Sequence, residues 1–235
     1  MDVSGKKAVV FGGTSGIGLA TVEMLAAAGA QVVAISRDPS KATSLPDGVS
    51  VEACDVRDIA AMDALLTRLA PFDILVSAAT GGTRAMGPFL EMDMDGYKAS
   101  FDKLWGYANV IRYGAAHVTD GGSITLVSGA PARNCKPGQV ALSSVGSAVE
   151  ALVRAVAKET APRIRVNVVS PGTIDTPMVA LKGEERNALY SQMTQANLVP
   201  RAGTANEVAA GLMFVISNGF VTGTTVDVDG GWLLS

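Results

Sequence analysis

The sequence predicts a doubly wound α/β fold: one domain over residues 1–235 with a mostly parallel seven-stranded sheet. Short apolar runs alternate along the chain with longer amphipathic stretches. This alternation is typical of buried parallel strands that helices cover on both faces. Apolar residues make up 48% of the chain and charged residues 17%, so a mainly disordered chain is excluded. No linker, repeat or low-complexity tract divides the sequence.

The predicted strands and helices follow one another in a regular order. The strands cover residues 7–11, 31–36, 49–54, 73–76, 123–128, 165–170 and 225–229. The helices cover residues 17–28, 59–69, 95–118, 140–158 and 206–216. Gly29 ends the first helix, and leucines at helical spacing mark the second. The loosest segments, 80–88 and 176–201, follow strands, at the sheet edge where open α/β sheets bind ligands.

Charge and cysteine content argue against several classes of function. The 19 Lys and Arg residues against 22 Asp and Glu residues give a net charge of −3. No basic surplus therefore favours nucleic acid or an anionic membrane as a partner. Cys54 and Cys135 form no Cys-X-X-Cys pair, which argues against a metal site, and a reducing cytoplasm is expected. Residues 1–10 do not resemble a signal peptide, and no run of about 18 uninterrupted apolar residues predicts a membrane span.

The clearest functional signal is the glycine-rich turn between the first strand and the first helix. Gly12 allows the tight turn, Gly16 lets the backbone approach a pyrophosphate, and Gly18 allows close packing of helix on strand. The free N–H groups and the dipole at the helix start favour a phosphate. The turn therefore predicts a dinucleotide site, and a glycine-rich turn without a ligand is the alternative. The other predicted binding residues of the turn are Thr14, Ser15 and Ile17.

Several motifs in the same order make the chain resemble the short-chain dehydrogenase/reductase family over nearly its whole length. The matching segments are residues 12–18, 55–56, 165–172 and 229–231. The resemblance implies a Rossmann fold, a nicotinamide dinucleotide, and a homodimer or homotetramer paired through the two long helices. It also implies that Asp55 and Val56 contact the adenine, and that Thr176 holds the nicotinamide carboxamide with Ile174 beside it. The other implied cofactor residues are Ala78, Pro171 and Gly172.

The end of the second strand favours NADP(H) over NAD(H). Ser36 and Arg37 stand where an acidic residue would bind the ribose 2′-hydroxyl of NAD. Ser36 can hydrogen-bond a 2′-phosphate, and Arg37 can pair with it through two N–H groups. A solvated surface arginine is the alternative for Arg37. Asp38 is the nearest acid, and a shift of one residue would favour NAD instead.

The catalytic pattern of the family is missing from this sequence. A typical member carries a Tyr and a Lys four residues apart on the helix after strand five, and the Tyr protonates the carbonyl oxygen. Leu142 and Gly146 occupy these positions, and residues 139–154 contain neither Tyr nor Lys. The usual Asn of the preceding helix aligns with Lys103. The chain is similar to a divergent branch with the same Lys and no Tyr/Lys pair, which implies a lineage trait.

Three residues are candidates to stabilise charge on a substrate oxygen. Partial burial of Lys103 would lower its pKa and make it a usable acid near neutral pH, unless it lies on a solvated helix face. Ser128, at the end of strand five, either donates to the substrate or only bonds the backbone. Arg133 could stabilise an oxyanion or hold a substrate carboxylate, but it could not deliver a proton. A solvent-facing loop arginine is its alternative.

Two functions from different classes follow. The first is an NADP-dependent oxidoreductase that transfers hydride between NADP(H) and a small carbonyl or alcohol substrate, with a non-standard proton donor. The second is a catalytically inactive NADP(H)-binding sensor or partner-binding protein, which the missing Tyr/Lys pair fits equally well. Residues 179–198 are a candidate lid over the cofactor, and a plain pair of surface helices is the alternative.

Overall fold

The strands form the predicted doubly wound sheet. The computed structural model describes residues 1–42, 44–80 and 83–235. Its seven-stranded sheet has the order β3-β2-β1-β4-β5-β6-β9, and every neighbouring pair is parallel. The predicted α/β class and the seven-stranded sheet are therefore confirmed. The strands are β1 (Lys7–Phe11), β2 (Gln31–Ser36), β3 (Ser50–Ala53), β4 (Phe72–Ser77), β5 (Val118–Val127), β6 (Arg165–Pro171) and β9 (Thr225–Val228).

Helices cover both faces of the sheet. They are α1 (Gly16–Ala27), α2 (Ile59–Leu69), α3 (Met94–Ser100), α4 (Asp102–Gly114), α5 (Pro131–Asn134), α6 (Val140–Thr160), α7 (Gly183–Thr194) and α8 (Ala205–Ser217). One apolar core lies between the sheet and helices α2, α4 and α6, and a second lies between the sheet and helices α1 and α8. This arrangement explains why the strand interiors are apolar on both sides.

The order of the strands places a crevice at the carboxyl edge of the sheet. The chain moves outward from β1 to β2 and β3, then returns to β4 on the other side of β1. The helices that follow β1 and β4 therefore lie on opposite faces, and their loops separate. Ligands of doubly wound folds bind at such a switch point.

The prediction of one continuous helix over residues 95–118 is wrong, because the structure has two helices there. Helix α3 ends at Ser100 and helix α4 begins at Asp102. A short 3₁₀ turn follows over Ala115–His117, and the last predicted residue, Val118, begins strand β5. One contact at the break is local and one is tertiary. The ring of Phe101 packs on the ring of Tyr97, four residues earlier, at 5.3 Å. The Ser100 hydroxyl accepts a hydrogen bond from the Ala85 N–H at 2.9 Å, which attaches the end of α3 to the loop after β4.

The segment between β6 and α8 differs from the prediction in two ways. A two-stranded parallel pair, β7 (Ile174–Asp175) with β8 (Gly203–Thr204), was not predicted, because two-residue strands carry no sequence period. The candidate lid contains one helix, α7, where the alternative required a helix pair. The lid itself stays a prediction.

Helix α6 is the described helix whose length and composition would suffice to cross a membrane. Its buried side includes Val145, Val149 and Val153, and Val149 and Val153 belong to the core between sheet and helices. A core helix of this kind has the same length and composition as a membrane span. The packing of α6 therefore accounts for its apolar character.

Candidate functional site

A cleft of about 340 Å³ opens at the carboxyl ends of β1, β2, β3 and β4. It lies at the switch point of the sheet, where the sequence predicted a dinucleotide. The predicted residues that line it are Gly12, Thr14, Ser15, Gly16, Ile17, Gly18, Ser36, Arg37, Asp55, Val56, Ala78 and Thr176. The structure thus brings together residues from five separate segments of the chain.

The glycine-rich turn is shaped for close approach. Gly12 has a φ of +77°, and a Cβ on it would lie 2.8 Å from the Ala79 nitrogen. A Cβ on Gly18 would lie 2.0 Å from the Gly12 oxygen, so both positions need glycine. Ser15 begins helix α1 in an extended conformation, and its side chain does not cap the helix. The first N–H groups of α1 therefore remain available to an anion, which fits a pyrophosphate.

The far end of the cleft carries two arginines. Arg37 is exposed and makes no hydrogen bond or ion pair with the described residues, although its charge helps to lower the pKa of Asp55. The main cause of that lowered pKa is Arg57, whose guanidinium bonds Asp55 at 3.1 Å and Asp102 at 2.8 Å. Arg57 is thus held by two carboxylates, whereas Arg37 is free to meet a ligand.

The opposite wall of the cleft is formed by Thr176, Pro177 and Met178. One arginine fixes this segment. The guanidinium of Arg186 bonds the Asp175 carboxylate at 3.0 Å and the Thr176 carbonyl at 2.8 Å. It also bonds the carbonyl of Leu181 at 3.0 Å and that of Val179, which leaves the loop little freedom to move.

Three predicted cofactor residues do not line this cleft. Pro171 accepts a hydrogen bond from the Ala130 N–H at 2.9 Å, and a Cβ on Gly172 would lie 2.7 Å from the Asp229 oxygen. Ile174 pairs with Gly203 in the small sheet. These residues shape the backbone behind the cleft, and their predicted contact with the cofactor stays a prediction.

Lys103 lies over the carboxyl end of β5. Its Nζ donates to the Ser128 carbonyl at 3.1 Å and stands 5.5 Å from the centre of the Tyr107 ring. Burial lowers the pKa of Lys103 to about 7, and repulsion from Arg84 adds to the shift. The alternative, in which Lys103 lies on a solvated helix face, does not fit these contacts with Ser128 and Tyr107. The ammonium can therefore lose a proton near neutral pH, and the resulting amine can take one up again.

Ser128, at the end of β5, lies among groups of the protein. Its side chain is buried, and its hydroxyl donates to the Gly146 carbonyl at 3.2 Å and lies 3.5 Å from a Glu150 oxygen. The hydroxyl that was expected to serve a substrate therefore already has protein partners, which corresponds to the alternative of backbone bonding. The Ser128 carbonyl, which holds Lys103, is the group that remains linked to the candidate chemistry.

Arg133 also has partners inside the protein. Its guanidinium donates to Asp227 at 2.9 Å and to the Ser170 hydroxyl at 3.2 Å, and it lies 3.4 Å from Glu150. Glu150 is 4% exposed. Burial raises the pKa of Glu150, and the charge of Arg133 opposes that shift. Arg133 therefore compensates the buried Glu150 carboxylate and the Asp227 carboxylate, and its role at a substrate oxygen stays a prediction.

Sequence reasoning missed several residues of the site. Arg57, Pro177 and Met178 border the cleft, and Arg84 acts on Lys103 from the loop after β4. Arg84 falls in a segment that the sequence marks as loose and near a strand end, so its position could have been noticed. Arg186 gave no signal, because its partners are one carboxylate eleven residues earlier and several backbone carbonyls. Within the described residues, no three metal-ligating side chains converge.

Comparison with known proteins places the chain in a family. Residues 12–233 match the family model described as enoyl-(acyl carrier protein) reductase. L-xylulose reductase of Mus musculus is 30% identical over 243 residues, which cover 99% of this chain and 98% of that protein. A short-chain type dehydrogenase/reductase from Mycobacterium ulcerans has a TM-score of 0.88 at 28% identity, covering 100% and 92% of the two chains. The chain belongs to the short-chain dehydrogenase/reductase family.

Other short-chain dehydrogenases match over a similar length. Galactitol 2-dehydrogenase of Rhizobium johnstonii is 35% identical over 248 residues, which cover 98% of this chain and 96% of that protein. A small-chain dehydrogenase in complex with NADPH has a TM-score of 0.82 at 31% identity, covering 98% and 99%. The family expected from the motifs is therefore confirmed, and the relatives named above are oxidoreductases by name.

Proposed function

We propose that the protein is an NADP(H)-dependent oxidoreductase for a small carbonyl or alcohol substrate, with Lys103 as the proton donor and acceptor. The observation that carries the proposal is the ammonium of Lys103, which lies at the carboxyl edge of the sheet with a pKa of about 7. The similarity to a reductase and a dehydrogenase of sugar-like substrates supports this chemistry. The absence of a Tyr/Lys pair at Leu142 and Gly146 supports a divergent branch.

The cleft residues fit a dinucleotide phosphate. The N–H groups at the start of α1 would hold the pyrophosphate, Arg37 and Ser36 the 2′-phosphate, and Thr176 the nicotinamide carboxamide. The NADPH found in a related small-chain dehydrogenase supports the choice of NADP(H). When bound, NADP(H) supplies or accepts a hydride.

Lys103 performs the proton transfer in the proposed reaction. In the direction of reduction, its ammonium donates a proton from Nζ to the carbonyl oxygen while that oxygen gains negative charge. In the direction of oxidation, the neutral amine accepts the proton from the alcohol. The bond to the Ser128 carbonyl and the Tyr107 ring hold Nζ in place. A donor whose pKa lies near the working pH serves both directions.

Turnover tests this function directly. Purified protein is expected to oxidise NADPH with at least some members of a panel of ketones and aldehydes, and Lys103→Ala should lose about 10²–10⁴-fold in kcat/KM, the usual contribution of a positioned general acid. Lys98→Ala, on exposed α3, is the matched control. Wild-type activity in Lys103→Ala would refute the role of Lys103.

A second function has its own support. The Ser128 hydroxyl and the Arg133 guanidinium, both expected to assist catalysis, already have partners inside the protein. An inactive protein that binds NADP(H) as a sensor, or for a partner, needs neither group. Tight NADPH binding in calorimetry, with no turnover on the whole panel, would favour this function over the oxidoreductase.

Assembly and location also stay proposals. The expected homodimer or homotetramer would pair the long helices, and Trp105 on α4, 63% exposed, is an apolar side chain that such pairing would cover. Light scattering tests this, since a monomeric mass would refute it. The cytoplasmic location stays a prediction from the cysteine content.

A further inference from the structure

We propose that Asp102 is a positioning residue, which holds Lys103 in place against the cofactor cleft through its bond to Arg57. This role rests on the proposed function, since it concerns how the proton donor of that reaction is kept in position. The contacts that support it join the loop after β3, which lines the cleft, to the first turn of α4, which carries Lys103.

The start of α4 lacks the capping side chain that fixes other helices of this protein. Asp58 and Asp93 precede α2 and α3, and their carboxylates accept hydrogen bonds from backbone N–H groups of those helices. Phe101 precedes α4, and its ring makes no such bond. An uncapped helix start is less firmly held, because its first N–H groups lack side-chain partners. The first turn of α4 therefore depends on the side chains of Asp102 and Lys103.

One face of α4 lies on the end of β5. Lys103 and Tyr107 share this face, because they are four residues apart. The Lys103 ammonium donates to the Ser128 carbonyl at 3.1 Å, and the Tyr107 hydroxyl donates to the Val127 carbonyl at 2.9 Å. These two bonds direct Lys103 toward the carboxyl end of β5.

A second face of α4 lies on the loop after β3. Asp102, Gly106 and Asn109 share it, because four and three residues separate them. The Asn109 side chain donates to the Val56 carbonyl at 3.0 Å, and a Cβ on Gly106 would lie 2.5 Å from a Val56 methyl carbon. Val56 is buried and lines the cleft. Helix α4 therefore rests directly on a wall of the cleft.

Arg57 extends this contact to the residue next to Lys103. Its guanidinium bonds the Asp102 carboxylate at 2.8 Å and the Asp55 carboxylate at 3.1 and 3.3 Å. Its backbone N–H also donates to Asp55, at 2.9 Å. An isolated surface ion pair contributes little, whereas a guanidinium fixed between two carboxylates has a defined direction. Asp55 lines the cleft, so the bond to Asp102 ties the first turn of α4 to the cleft wall.

This arrangement predicts a specific defect when Asp102 is replaced. Without the bond to Arg57, the position of the first turn depends on Lys103 itself. A shift of about 1 Å in a reacting group can cost about 10²-fold in rate. The residues of the contact that line the cleft, Asp55, Val56 and Arg57, are unchanged. The loss should therefore appear in kcat, whereas NADPH binding should be preserved.

Steady-state kinetics and fluorescence titration test the positioning role. Asp102→Asn removes the charge, and kcat for carbonyl reduction should fall about 10-fold or more, while the Kd for NADPH stays the same. Asp102→Glu can still reach Arg57 and should restore most of kcat. Asp95→Asn is the matched control, because Asp95 also lies in the first turn of a helix and pairs with exposed Lys98. Wild-type kcat in Asp102→Asn, or no rescue by Asp102→Glu, would overturn the positioning role.

The titration of Lys103 gives a second readout that does not need turnover. Acetylation by acetic anhydride at several pH values, followed by mass spectrometry of the Lys103 peptide, measures its pKa. In Asp102→Asn, displacement of the amine from its buried place should raise this pKa from about 7 toward the ordinary 10.5. Removal of a nearby negative charge would by itself lower the pKa. Arg57, Arg84 and Tyr107, the charged and ionisable groups around this turn, are the same in both proteins.

The two readouts separate the positioning role from the proposed function. If wild-type protein reduced no carbonyl substrate, the proposed function would fail, and the labelling would still decide whether Asp102 positions Lys103. If wild type were active but the pKa of Lys103 stayed the same or fell in Asp102→Asn, the positioning role alone would fail. A wild-type Lys103 that titrated near 10.5 would also overturn it, because the amine would then not occupy its buried place.

Discussion

Gly146 lies directly against Ala132: a Cβ added to Gly146 would stand 2.8 Å from the Ala132 Cβ and 3.3 Å from the Ser128 hydroxyl. This contact packs the short helix α5 onto α6 at the position where a typical family member carries its catalytic lysine. A lysine at residue 146 would therefore have no room for its side chain unless α5 moved.

Restoring the family motif should fail for this steric reason. Leu142→Tyr with Gly146→Lys is expected to lower the free energy of unfolding by about 1–3 kcal/mol, the usual effect of overpacking. It should not raise turnover. Urea denaturation and NADPH oxidation check both points, with Ala151→Lys on the exposed side of α6 as control. A stable and more active double variant would contradict the prediction.

Lys103→Met should stabilise the protein while it removes activity. The folded pKa of about 7 lies below the ordinary 10.5, so the unfolded chain binds the proton more tightly, and stability rises with pH between these values. The variant escapes this penalty. Its Tm should increase by about 2–4 °C at pH 7, the shift that 1 kcal/mol causes in a chain of this size.

The gain of Lys103→Met should be full below pH 7 and should shrink as the pH approaches 10.5. Thermal unfolding followed by circular dichroism at several pH values measures it. Lys98→Met, on the exposed surface, should show no such trend. A gain that did not depend on pH would mean that the lysine is not desolvated.

Carbonyl reduction should lose rate as the pH rises through about 7, because the ammonium of Lys103 must carry the proton that it donates. The kcat/KM profile should therefore fall on the alkaline side, and the reverse oxidation should rise over the same range. Profiles from pH 5.5 to 9, about the span over which a group of this pKa titrates, check the sign. A flat profile would exclude Lys103 as the titrating donor.

Arg37→Ala should weaken NADPH binding and spare NADH. Loss of a charge-assisted pair to the 2′-phosphate is worth about 1.5–3 kcal/mol, or roughly 10–100-fold in Kd. Fluorescence titration with both nucleotides measures the ratio. Arg57→Ala is a useful comparison, since Arg57 already bonds Asp55 and Asp102. Equal losses for NADPH and NADH in Arg37→Ala would argue against the 2′-phosphate contact.

Arg186→Gln should loosen the cleft wall without touching the ligand. The segment 175–181 would lose its bonds to Asp175 and to the Thr176 and Leu181 carbonyls. We expect about a 10-fold rise in the KM for NADPH, since a single misplaced contact is worth about 1 kcal/mol or more. Arg201→Gln, which breaks a surface pair with Glu207, is the control. An unchanged KM would show that the wall holds without Arg186.

The strands and the cleft could be predicted because they depend on local signals. Apolar runs mark β1 and β4, and the glycine spacing marks the turn between β1 and α1. The hydrogen bond between Arg133 and Asp227 could not be predicted, because the two residues are 94 positions apart in the sequence. The same holds for the hydrogen bond from the Ala85 N–H to the Ser100 hydroxyl, which lies beside the break between α3 and α4. Only tertiary packing creates these partners.

Trp232 is joined to α5, and this gives the protein a natural optical reporter. The Trp232 carbonyl accepts a hydrogen bond from the Asn134 side chain at 3.0 Å, and Lys136 lies over the indole at 4.4 Å. The chain has two tryptophans: Trp232 is buried, and Trp105 is exposed. Replacing Trp105 by phenylalanine would therefore leave Trp232 as the single tryptophan. Its emission wavelength and quenching would report on the surroundings of α5, the helix packed on Gly146, without any added dye.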